Sequence, residues 1–145
     1  MALKTLKEQF EAVLVDWAAA RGFPADEARL DADGQVSLVL DNAVGTLVYR
    51  EASDTVILWF ESGNWESASF PHEALIANDR FALSRGFTVA IDPATDRVVV
   101  HDRRPAECFA SAELLDAWLA AGAALSADVR HVALFGLEPM AESEV

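Results

Sequence analysis

Three histidines, one cysteine and a few aromatic residues are the side chains here with chemistry to offer, and their spacing decides what they can do. His72, His101 and His131 lie far apart in the sequence. No two stand at the short spacing of a metal-ligand pair, so solvated or hydrogen-bonded histidines fit better than a metal site. Cys108 is the single cysteine, which permits neither an intramolecular disulfide nor a cysteine metal cluster. With Glu107 rather than a cation beside it, it lacks the electropositive setting of a nucleophile. His101 and Asp102 are neighbours in a strand-like stretch, where successive side chains point to opposite faces and form no dyad. The sequence contains no H-E-x-x-H, no G-x-S-x-G and no glycine-rich phosphate loop. Tyr49, Trp59 and Trp65 could stack on a base or a sugar, but Arg50 is the single basic residue among them, which is no basic interleaving. The reading is a protein with no catalytic residues, no metal and no cofactor, one that binds rather than transforms.

Composition narrows what it binds. The chain has 145 residues, which suits one domain, expected over residues 1–137, with an acidic and disordered tail over 138–145. A formal net charge of −13 repels phosphate backbones and anionic membranes, so neither nucleic acid nor membrane insertion is expected. The same charge serves solubility and attracts basic residues in a partner. Glu8, Gln9, Glu11 and Asp16 interrupt the N-terminal stretch, which does not read as a signal peptide, and no apolar run is long enough to span a bilayer. The expected location is cytoplasmic.

The elements that must position these residues follow from a change of period. Leu3, Leu6, Phe10, Val13, Trp17 and Ala20 recur at steps of three and four, one apolar face of a helix stopped by Gly22 and Pro24. From Gln35 the period becomes two. Strands from Gln35 to Leu40, Val44 to Arg50 and Thr55 to Glu61, joined by tight turns, form an antiparallel meander. A polar loop carrying Trp65 leads to a short helix that starts near Pro71 and holds Leu75, Ile76 and Asn78, with Phe81 at or just past its end. Strands from Phe87 to Ile91 and Arg97 to Asp102 flank the turn at Asp92–Asp96. Ser111 caps a helix bearing Leu115, Trp118 and Leu119, and Ser126 is expected to cap a separate last segment. The fold class is α+β: a five-stranded antiparallel sheet with flanking helices, in the order α-β-β-β-α-β-β-α.

The third strand is apolar on both faces. Val56, Leu58 and Phe60 alternate with Ile57 and Trp59, and on the second strand Leu47 and Tyr49 alternate with Val44 and Val48. An antiparallel sheet with one wet side shows apolar residues on one side only, so a second face here calls for a cover. A dimer partner, a bound chain or a second helix of the same chain would serve. Leu47, Tyr49, Ile57 and Trp59 are the candidate partner-binding residues, placed on one face subject to the strand register.

The order of elements, with Ser37-Leu38-Val39-Leu40-Asp41, Leu75-Ile76-Ala77-Asn78 and Gly86-Phe87-Thr88-Val89-Ala90-Ile91-Asp92 leading into Val98-Val99-Val100, resembles the class I type III secretion chaperones from about Leu3 to about Leu134. The resemblance implies a homodimer that holds the N-terminal segment of an effector or other secreted protein and keeps it export-competent. It also implies that the second helix, with Leu75, Ile76 and Phe81, sits at the dimer interface. The alternative is a ligand-binding or regulatory α+β domain of the same fold outside secretion.

Overall fold

A computed structural model describes residues 3–41, 43–79 and 85–135. The first helix, α1 (Leu6–Ala20), begins at a capping box: Thr5 Oγ1 accepts from the Glu8 N–H and the Glu8 carboxylate accepts from the Thr5 N–H. Phe10, Leu14 and Trp17 form its buried stripe, while Leu3 and Leu6 remain exposed ahead of it. A 3₁₀ turn (Ala25–Ala28) follows, and then the meander β1 (Gln35–Leu40), β2 (Ala43–Arg50) and β3 (Thr55–Asn64). Helix α2 (Phe70–Asp79), strands β4 (Thr88–Asp92) and β5 (Arg97–Pro105), a second 3₁₀ turn (Ala106–Cys108) and helix α3 (Ala112–Phe135) complete the order. The five strands pair antiparallel in the order β1-β2-β3-β5-β4. This is the expected fold class.

Three elements differ most from expectation, the first being β5, which continues three residues past Asp102 to Pro105 in register with β3. Strand β3 runs on through Ser62 and Gly63 to Asn64, because a bulge between Glu61 and Gly63 lets it keep pairing with β5. Helix α3 is one 24-residue element, with no break at Ser126. Ser111 does cap it, accepting from the Leu114 N–H. Ser126 instead lies buried in mid-helix, and its hydroxyl bonds that of Ser62 at 2.8 Å. A buried hydroxyl needs a partner, and the bulged end of β3 supplies one.

Helices α1 and α3 lie together on one face of the sheet. The core between them and the strands holds Leu14, Trp17, Leu47, Leu58, Phe60, Val100, Leu115 and Leu119. Phe60 sets how closely helix and sheet approach. A Cβ at Gly45 of β2 would come within 2.7 Å of its ring, and one at Gly122 of α3 within 2.6 Å. Both glycines therefore make room for one phenyl ring.

Two Trp–Asp–Arg groups tie the helical layer down. The Asp116 carboxylate accepts from Trp17 Nε1 (2.9 Å) and from the Arg21 guanidinium (2.6 Å), while Arg21 lies over the Trp17 ring. Asp102 accepts from Trp118 Nε1 (2.8 Å) and from Arg104 Nε (2.9 Å), with Arg104 over the Trp118 ring. Each carboxylate satisfies an indole N–H that burial would otherwise leave unpaired.

Candidate functional site

Register decides which apolar residues stay accessible. Arg50 stands opposite Thr55, so odd-numbered residues of β2 sit beside even-numbered residues of β3. Leu47 therefore faces the helices with Leu58, and Tyr49 does so with Val56. Both are buried, and the Tyr49 ring packs 5.6 Å from that of Phe10. Its hydroxyl donates to Asp54 at 2.7 Å; burial and that carboxylate push the phenol well above its ordinary range. Ile57 and Trp59 lie on the opposite, outer face, paired with Val48 and Thr46. The four candidates thus divide into two pairs, and the expectation of one shared face is corrected. Leu47 and Tyr49 are core; Ile57 and Trp59 are half-buried on a face that no helix among the described residues covers.

That outer face continues onto β1. Val39 and Val44 are cross-strand partners and are 55% and 57% exposed. They extend the apolar surface of Ile57 and Trp59 toward the sheet edge, while Val48, on the same face, is buried. In the sequence, the alternation of Val44 and Val48 against Leu47 and Tyr49 is the signal that marks this face.

The two edges of the sheet are treated differently. At β4, the Asn78 side chain acts as a substitute strand: its Nδ2 donates to the Val89 carbonyl at 2.8 Å and its Oδ1 accepts from the Val89 N–H at 2.7 Å. At β1, Gln35 is closed in a similar way by Asp31, whose backbone N–H and carboxylate take its carbonyl and N–H. The Tyr49 N–H donates to the Gly34 carbonyl, so by alternation Ser37 and Val39 direct their backbone groups away from β2. Among the described residues these groups have no hydrogen-bond partner. A strand added there would find a ready template.

Other candidates fall apart in space. Leu75 is 70% exposed on α2. Ile76 lies on the same helix with its side chain outside what is described, and Phe81 lies outside the described residues, as does the tail over 138–145. His72, His101 and His131 sit on α2, β5 and α3, and among the described residues no group of His, Cys, Asp and Glu is arranged to hold a metal ion. His101 stands opposite Trp59 on the outer face and Asp102 opposite Leu58 on the inner one, as strand alternation requires. A cleft of about 230 Å³ between Leu40, Ala123 and Arg130 is floored by alanines and gathers no set of buried polar groups. No helix among the described residues is long and apolar enough to cross a membrane.

Neither the protein-family models nor the curated proteins give a match to the sequence. Solved structures do. The chain superposes on one from the ExsC–ExsE complex with a TM-score of 0.77 at 17% identity, covering 90% of this chain and 97% of that one. A chain of the HopA1–SchA chaperone–effector complex gives 0.73 at 15% identity, covering 90% and 99%. The Yersinia pestis type III secretion chaperone SycH, in complex with a stable fragment of YscM2, gives 0.66 at 15% identity, covering 83% and 98%. The chain has the fold of the type III secretion chaperones. Among the described residues, the outer face around Ile57 and Trp59 and the outward backbone groups of Ser37 and Val39 on β1 are left uncovered.

Proposed function

We propose that the protein is a type III secretion chaperone that binds the N-terminal segment of an effector or other secreted protein and keeps it export-competent. One observation carries the reading: an apolar sheet face, left uncovered by its own helices, runs into an edge strand with unpaired backbone groups. A segment with two successive parts satisfies both. One part pairs its backbone with Ser37 and Val39 of β1, and the next crosses the outer face with apolar side chains on Val44, Ile57 and Trp59, since β3 lies two strand spacings in from β1. Each fully buried leucine or isoleucine contributes about 1.5–3 kcal/mol, so three or four anchors offset the cost of ordering the segment. In this reading the protein catalyses nothing and works in the cytoplasm as a homodimer. The exposure of Leu75 on α2 supports the dimer, with α2 at its interface as the resemblance implies.

Loss of the gene in a strain with a type III apparatus should lower the export of one substrate. Complementation with Trp59→Ala or Ile57→Asp should fail although the protein accumulates and gives the wild-type circular dichroism spectrum. Normal export with either variant would remove the reading. Sedimentation at micromolar concentration tests the dimer: wild type should run as two chains, and Leu75→Asp should shift it toward one.

A further inference from the structure

The net charge of −13 predicts a client rich in basic residues, yet the part of the outer face around Ile57 carries the opposite sign. Arg103 stands directly across from Ile57, and His101 directly across from Trp59. Arg50 lies one row further along the same face, opposite Thr55. Arg50 and Arg103 are both exposed, and among the described residues neither makes an ion pair. The carboxylates nearest in sequence are held on the helical side: Glu51 pairs with Lys7 of α1 at 3.0 Å, and Asp54 accepts from the buried Tyr49 hydroxyl. Asp102 and Arg104, which flank Arg103 in sequence, point inward to Trp118.

Glu61 shares the outer face but pairs with Arg97 at 3.3 Å, and Asp92 lies at that same far end, so among the described residues the unpaired charges beside Ile57 are the two arginines. Strand spacing puts Arg103 about 5 Å from the Ile57 position, while the helical layer lies about 10 Å away through the sheet. At physiological ionic strength the screening length is about 8 Å, so a ligand lying on the outer face responds to the arginines more than to the carboxylates behind it. We infer that the segment bound on this face carries aspartate or glutamate within two residues of its apolar anchors, set against Arg103 and Arg50. This rests on the reading that Ile57 and Trp59 hold the client, and it specifies the client's chemistry. The bulk negative charge then repels acidic proteins at long range and leaves this face as the place where an acidic–apolar segment is accepted.

The test is a library of random twelve-residue peptides displayed on phage and selected on the immobilised full-length chain, as wild type, Arg103→Glu and Trp59→Ala. Wild type should enrich peptides with Asp or Glu within two positions of Leu, Ile or Phe. A synthetic peptide from that pool should bind Arg103→Glu roughly three- to tenfold more weakly at 0.1 M salt, with the gap closing at 1 M. It should not bind Trp59→Ala measurably. Apolar enrichment without acidic residues, or with Lys and Arg in their place, overturns this inference and leaves the chaperone reading intact. Failure to enrich any apolar consensus, or equal binding to Trp59→Ala, overturns both. Should Arg103→Glu dissociate a wild-type dimer in sedimentation, the face is a contact between copies and the inference falls.

Discussion

On the helical side of the sheet, Leu47, Leu58 and Phe60 are sealed under α1 and α3. On the other side Ile57 and Trp59 stay half-exposed, with Val39 and Val44 more open still. Large apolar residues occur on both sides. What separates them is which strand positions the register assigns to the covered side, and the fact that both long helices lie on that side. Hydrophobicity therefore predicts burial on the inner face and availability on the outer one, a difference that composition alone does not carry.

The strongest way to break this contrast is to cut the inner face. Phe60→Ala removes a ring held between Gly45 and Gly122, and should cost about 3–5 kcal/mol in urea unfolding, a large part of an ordinary domain's stability. Filling the same space from the other direction is milder. Gly122→Val forces side chains against Phe60 and Phe87 and should cost about 1–3 kcal/mol, again by urea unfolding.

Edges sharpen the comparison on a smaller scale. Asn78→Ala strips both hydrogen bonds from Val89 and should cost about 1 kcal/mol. Faster amide exchange at Val89, with the strands β1 and β2 unchanged, is the expected signature.

Much of this fold was legible in the sequence because period and turn chemistry are local. The shift from steps of three and four to alternation at Gln35, and the turns at Glu51–Asp54 and Asp92–Asp96, marked the elements directly. Register was not local. Sharing of a face by Leu47 and Ile57 depended on a one-residue offset in the β2–β3 pairing, and such an offset moves a whole strand's side chains to the other face. Ser126 misled for a related reason: a serine after an apolar run reads as a cap, and only the bulge near Ser62 reveals it as a buried partner. Asn78 was placed on its helix, but its bonds to Val89 cross from one element to another. Nothing in the residue string shows them. The arginines beside Ile57 were hidden by the net charge, which sums over the whole molecule and says nothing of where Arg50 and Arg103 lie.

The smallest effect concerns the clamp between α1 and α3. Hydrogen bonds from Arg21 and then from Trp17 hold the Asp116 carboxyl below its ordinary range. A lowered pKa in the folded state means that its contribution is present above the unfolded carboxylate value near 4, and is lost as pH falls through the folded value below that. Asp116→Asn should therefore reduce stability by less than about 1 kcal/mol near neutral pH, given how exposed the ion pair is. The difference from wild type should shrink toward pH 3 in urea titrations.

The central claim is that the outer face is a binding surface and the inner face a core. One protein tests both halves: Trp59→Ala, measured for urea stability and for retention of a peptide that wild type selects. The account predicts stability within about 1 kcal/mol of wild type, as for a surface change, together with loss of the peptide. A loss of stability comparable to that of Phe60→Ala, or undiminished binding of the peptide, would contradict it.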